Sequence, residues 1–249
     1  MKCKLCGEDK KLLKRSHIIP DFMYKGLFDE KHFIAPFDLV EFKVKKLIPT
    51  GFYDSNILCD KCDNQIIGNL ESYSSIVLWG GQGKAELYPK FEPKTNQLNQ
   101  KYLHIINIDY SKFKLFLLSI IWRASISKHK IFEPISLGEH ETRIGKMIYE
   151  NNPEKSNDYP VGMFILSENE NSPTKMISNP IKIKTVQNLA YFFLINGLVI
   201  NYKIEGNGDF EIYEQIKIKE DNTMDVYIFD NKNSQEFLDN YLKQKLRYK

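Results

Sequence analysis

Cysteine is scarce in this chain of 249 residues, and none of it is spare: all four residues fall in two Cys-x-x-Cys pairs, Cys3/Cys6 and Cys59/Cys62. That excludes a disulfide-rich scaffold, whose cysteines would be spread along the chain. Long apolar runs are missing too. The longest, residues 115–122 and 189–200, are too short or too interrupted to span a bilayer. The first fifteen residues are basic but carry no apolar core of signal-peptide length, so a cytoplasmic protein with no membrane partner is expected. Charge of one sign does not dominate: a formal net charge of +3 neither demands nor excludes a polyanion. No internal repeat is present.

What is there begins with a hydrophobic fraction of 42%, which suits a globular chain. The reading is α+β in two domains: a small zinc-binding one at residues 1–79 and a mixed α+β one at residues 101–249. Residues 80–100, rich in turn formers and weak in periodicity, read as a linker. Positive charge gathers locally. Lys10, Lys11, Lys14 and Arg15 run directly into Ser16-His17, and Lys43, Lys45 and Lys46 precede the second cysteine pair. Lys14, Arg15, Lys45 and Lys46 are therefore the candidate nucleic-acid contacts, against the alternative of a solvated lysine-rich surface.

Two residues between thiolates is the spacing with which one turn directs both sulfurs at a tetrahedral ion. Four soft ligands select zinc or an iron–sulfur centre. A paired redox dithiol would need a thioredoxin-like strand and helix around it, and neither pair has that context. Cys3, Cys6, Cys59 and Cys62 are thus expected to hold one structural zinc ion, which would supply much of the folding free energy of so small a domain.

With four cysteines completing that site, His17 is left for other work. Ile18 and Ile19 are β-branched and Pro20 ends a ladder, so residues 16–20 read as a short strand. A histidine beside apolar residues is ordinarily a hydrogen-bonded core residue. The surroundings point further. Cys-Lys-Leu-Cys at 3–6, Ser-His-Ile-Ile-Pro at 16–20, and Asn-Ile-Leu-Cys-Asp-Lys-Cys-Asp-Asn at 56–64 before a helical pattern together resemble the zinc-containing HNH endonuclease superfamily. The resemblance covers residues 1–79 and implies a treble-clef or ββα-metal fold. It also implies that His17 is the general base activating water against a phosphodiester, and that Asp63 is a ligand of a second, catalytic cation, magnesium or manganese.

The pattern departs at Ser16, where the superfamily carries a metal-binding acid or histidine; a neutral hydroxyl is a poor ligand for a hard dication. Asp54 and Asn56 both precede Cys59, and either could accept a hydrogen bond from His17; Asp54 is favoured by its offset. A helix over residues 60–77 would align Ile66, Ile67, Leu70, Tyr73 and Val77, with Asp63 in the middle of that stripe. Such a carboxylate needs a cation or a donor beside it, unless it is solvated in the first helical turn. Further on, strands are expected at residues 102–108, 161–166, 190–199, 210–218 and 224–229, and helices at 113–127, 139–150 and 234–246. The functional expectation is a metal-dependent nuclease acting on nucleic acid, DNA ahead of RNA, in a setting such as phage defence. The alternative is a catalytically silent zinc module that binds nucleic acid or a protein, with the second domain mediating partner binding or homodimerisation.

Overall fold

A computed structural model gives the structure of the chain and describes residues 1–38, 43–80, 88–167, 176–185, 188–206 and 211–229, residues 211 and 212 by backbone alone. The N-terminal residues make a tight knuckle. Gly7, at φ +72°, turns the chain so that its N–H reaches the Cys3 carbonyl at 2.9 Å. Strand β1 (Ser16–His17) follows, then a 3₁₀ turn at Asp21–Tyr24, β2 (Pro36–Asp38), β3 (Lys43–Val44) and β4 (Tyr53–Asp54). β1 and β4 pair as an antiparallel ribbon with Ser16 opposite Asp54 and His17 opposite Tyr53. The excursion between them is closed by Tyr24, whose hydroxyl accepts the Phe52 N–H at 2.8 Å, and by Gly51, where a Cβ would strike the Tyr24 ring. From Lys61 to Ile67 the helix is wound as a π-helix, and it continues as α1 (Gly68–Trp79).

The remaining elements are β5 (Lys90–Thr95), β6 (Lys101–Ile106), α2 (Tyr110–Ile126), α3 (His140–Tyr149), β7 (Val161–Leu166), β8 (Ile177–Ser178), β9 (Ile181–Lys184), β10 (Leu189–Ile195), β11 (Leu198–Glu205), α4 (Glu211–Ile216) and β12 (Thr223–Phe229). The fold is α+β. One mixed sheet runs β3-β2-β8-β10-β11-β7-β12-β6-β5, with β9 also pairing with β10, so the first third of the chain contributes two strands to a sheet built mainly from the last third. Each residue of α2 from Phe113 to Ala124 is buried, Lys114, Ser119 and Arg123 included, so the helix is covered all round. It is capped by Asp109, whose carboxylate accepts the Lys112 N–H at 2.9 Å. α1, α3, β7 and β11 all pack against it. One continuous apolar cluster runs from Cys3, Leu12 and Ile18 to Phe113, Trp122 and Ile200, crossing the division expected at residues 80–100. Among the described residues no helix is long and apolar enough to cross a membrane.

Three expectations differ from what is observed. Residues 190–199 are two strands, because Asn196 (φ +53°) and Gly197 (φ +79°) form the two-residue turn of a hairpin between β10 and β11. Residues 211–216 are the helix α4, not a strand, and its Ile216 packs over β7, where Gly162 leaves room for it. The stretch read as a linker contains β5, every residue of which is exposed on the sheet edge. The helix expected at residues 234–246 lies outside the described residues.

Candidate metal centre and the histidine strand

The four cysteines are brought together from two backbone turns. Lys4 N–H donates to the Ile57 carbonyl at 2.9 Å and Leu13 N–H to the Leu58 carbonyl at 2.9 Å, which stitches the knuckle to the segment entering Cys59. The four sulfur atoms lie within 4.8 Å of one another. Tetrahedral zinc with Zn–S bonds of about 2.3 Å requires sulfurs separated by about 3.8 Å, so the cluster has the size of such a site. Cys3, Cys59 and Cys62 are buried, and the Cys59 N–H points at the Cys3 sulfur at 3.4 Å. Burial opposes ionisation of Cys3, yet the N–H groups of Cys6, Cys59 and Leu5 outweigh it and lower its pKa to about 7. Burial first, and then the neighbouring sulfurs, push Cys62 far upward. Four thiolates this close cannot coexist in a buried pocket without a cation to neutralise them. The donor set therefore fits a zinc ion, which Cys3, Cys6, Cys59 and Cys62 would hold.

The ribbon has two unlike faces. Directly opposed residues of an antiparallel pair share a face, so Ser16 goes with Asp54 and His17 with Tyr53. The first face is turned inward. Ser16 is fully buried with no hydrogen-bond partner for its hydroxyl among the described residues, while Asp54 accepts the Ser127 hydroxyl at 2.5 Å and the Lys128 N–H at 2.8 Å. Asp54 thus anchors the end of α2. Asn56 is exposed in the following turn at φ +59°, and its N–H donates to the Leu13 carbonyl at 2.9 Å. His17 is half-buried, and its imidazole makes no hydrogen bond among the described residues.

A residue that sequence reading passed over organises the rest. Arg123 on α2 is 1% exposed; its Nη1 donates to the His17 carbonyl at 2.9 Å and to Glu71 Oε1 at 2.7 Å, and its Nε to the Ser119 carbonyl at 3.2 Å. The signal available was a lone arginine inside an otherwise apolar helical run. The guanidinium also acts on Asp63. Burial raises the Asp63 carboxyl to about 6; Arg123 opposes this, and Glu71 and Asp60 add to it. The Asp63 side chain makes no hydrogen bond among the described residues. The π-helical turn explains its placement. Buried positions on this helix fall at Cys62, Ile67, Leu70, Ser74 and Val77, and the five-residue step from 62 to 67 gives the buried place to Cys62, leaving Asp63 half-buried beside it.

The remaining predicted positions are outward-facing. Lys14 and Arg15 are exposed, and the Arg15 guanidinium lies 4.1 Å from the centroid of the Tyr53 ring. Lys45 pairs with Asp38 at 3.0 Å, and Lys46 is exposed. The other four histidines have structural partners: His104 meets Asp225 at 2.7 Å, His140 meets Tyr159 and Glu205, each at 2.9 Å, His129 Nδ1 accepts the Ile131 N–H at 3.4 Å, and the His32 ring stacks on Phe28. No model of a protein family, no curated protein and no solved structure matches this chain.

Proposed function

We propose that the chain is a zinc-stabilised, metal-dependent nuclease of the HNH type, with His17 as the general base and Asp63 as a ligand of the catalytic cation. The observation that carries this reading is a pair of chemically idle groups around one arginine. The imidazole of His17 and the carboxylate of Asp63 are both half-buried and both lack hydrogen-bond partners among the described residues. Arg123 binds the backbone of the first and acts electrostatically on the second. Polar groups withdrawn from water without a partner are costly unless a ligand meets them. Asp63 with one further oxygen donor would hold magnesium or manganese, which when bound would offset charge on the scissile phosphate. His17 would take the proton of the attacking water, while Lys14, Arg15, Lys45 and Lys46 would meet the phosphate backbone.

One observation favours the silent binding module instead. Ser16 and Asp54 face inward, and Asp54 is engaged by Ser127 and Lys128, so neither stands free to orient His17 or to complete a cation site. The deciding experiment is cleavage of single- and double-stranded DNA and RNA with magnesium or manganese, by the intact protein and by His17→Ala. The nuclease reading expects cutting that requires the added cation and disappears in His17→Ala at unchanged zinc content and thermal midpoint. Binding without cleavage of any of the four substrates would leave the module as the function.

A further inference from the structure

The outward face of the β1/β4 ribbon carries a second arrangement beside His17. Arg15 lies two residues before His17, and Tyr53 directly opposes His17 across the ladder, so all three side chains leave on the same side. The Arg15 guanidinium is stacked 4.1 Å from the Tyr53 ring centroid. Tyr53 is 37% exposed, and among the described residues its hydroxyl makes no hydrogen bond and its ring no other ring contact. Nor does Arg15 have a carboxylate partner among the described residues. The nearest acid along the ribbon, Asp54, is turned to the other face and held by Ser127 and Lys128. Lys14, next to Arg15 in the chain, is exposed and lacks a carboxylate partner among the described residues. An exposed ring stacked with a guanidinium that has no acid beside it suits a ligand that offers a flat aromatic system and a phosphate together.

We propose that Arg15 and Tyr53 form a stacking platform for an unpaired base, so that the nucleic acid is engaged as a single strand beside His17. The inference rests on the nucleic-acid reading above and adds to it the substrate class. A paired base has both faces covered by its neighbours in the duplex, whereas an unpaired one can lay a face on the platform. Arg15, the cation of the platform, then meets a backbone phosphate.

The test uses the full-length zinc-loaded protein carrying His17→Ala, so that cleavage plays no part. Fluorescence anisotropy is read with a labelled single-stranded DNA, the RNA of the same sequence, and the corresponding DNA duplex. Tyr53→Leu should weaken single-strand binding roughly 5- to 150-fold, the range set by loss of one base–aromatic stack. Tyr53→Trp should retain it, and duplex binding should change less than about two-fold. Arg15→Gln should reduce the slope of log affinity against log salt by about 0.7, the value for one phosphate contact to a single strand. The DNA and RNA arms show which strand is preferred. Undiminished single-strand binding by Tyr53→Leu, or equal losses on duplex and single strand, overturns the platform and leaves the nuclease reading standing. Tight single-strand binding lost in Tyr53→Leu, by a wild-type protein that cuts nothing, supports the platform and removes the nuclease. No binding to any probe overturns both.

Discussion

Replacing Arg123 by methionine keeps most of its apolar stem and removes only the guanidinium, so the variant measures what that group holds together. Two acceptors are stranded: Glu71 Oε1, bonded at 2.7 Å, and the His17 carbonyl, bonded at 2.9 Å. Breaking a buried ion pair from one side is worth about 3–5 kcal/mol, because a charge is left without its partner. Here the Glu71 side chain is 25% exposed and can recover some hydration, which lowers that contribution. The orphaned carbonyl adds about 1–3 kcal/mol. Together a loss of about 3–5 kcal/mol is expected, read as a fall of roughly 6–20 °C in the thermal midpoint at saturating zinc. Glu71→Gln should cost less, since the guanidinium keeps its carbonyl partners, and the double variant should show a coupling of about 1–3 kcal/mol. If Arg123→Met stays within about 1 kcal/mol of the wild type, or if the two substitutions are additive, the arginine does not link the helices to the histidine strand as described.

Two further outcomes follow from buried charge. Asp63, with its carboxyl raised to about 6 chiefly by burial, binds its proton more readily folded than unfolded, so its ionised form opposes folding at neutral pH. A shift of about two units would be worth about 3 kcal/mol if no solvent reached it, and the partial exposure brings this to about 1–2 kcal/mol. Asp63→Asn should therefore be more stable than wild type at pH 7 by urea denaturation, and lose that advantage as the pH falls from about 6 to about 4, while abolishing cation-dependent cleavage. A destabilised Asp63→Asn would contradict this. Lys114 has the opposite sign. Burial lowers its pKa to about 8, so between about pH 8 and 10.5 the unfolded chain holds a proton that the folded chain has released, and stability contributed by this group rises with pH. Its Nζ donates to the Pro153 and Lys155 carbonyls at 2.8 and 2.5 Å, so Lys114→Met should be destabilised overall and should lack the wild type's rise across that window. Equal pH dependence in the two proteins would refute the assignment.

What could be read from the sequence was what depends on neighbouring residues. The cysteine pairs are legible because two intervening residues fix the turn that aims both sulfurs, and α2 and β7 because their apolar patterns are sustained. The β10/β11 hairpin was legible too, through Asn196-Gly197, but the apolar run on either side of that dipeptide masked the turn. α4 was read as a strand because its alternating apolar residues suit either structure over so short a length. The site was harder. That Asp54 belongs to the end of α2 depends on Ser127, and that Arg123 meets the His17 carbonyl depends on a contact 106 positions along the chain. The π-helical turn after Cys59 shifts the buried stripe by a residue, which no 3.6-residue periodicity anticipates.

The four-sulfur centre underlies the whole account, since it joins the N-terminal knuckle to the helical turn that carries Cys62 and Asp63. X-ray absorption at the zinc edge, on protein with its metal content determined, tests it most directly. The account predicts one zinc per chain with a shell of four sulfurs at about 2.3 Å and no nitrogen or oxygen ligand. A metal-free protein with an intact fold, or a shell of mixed sulfur and nitrogen that draws His17 into the coordination, would contradict it.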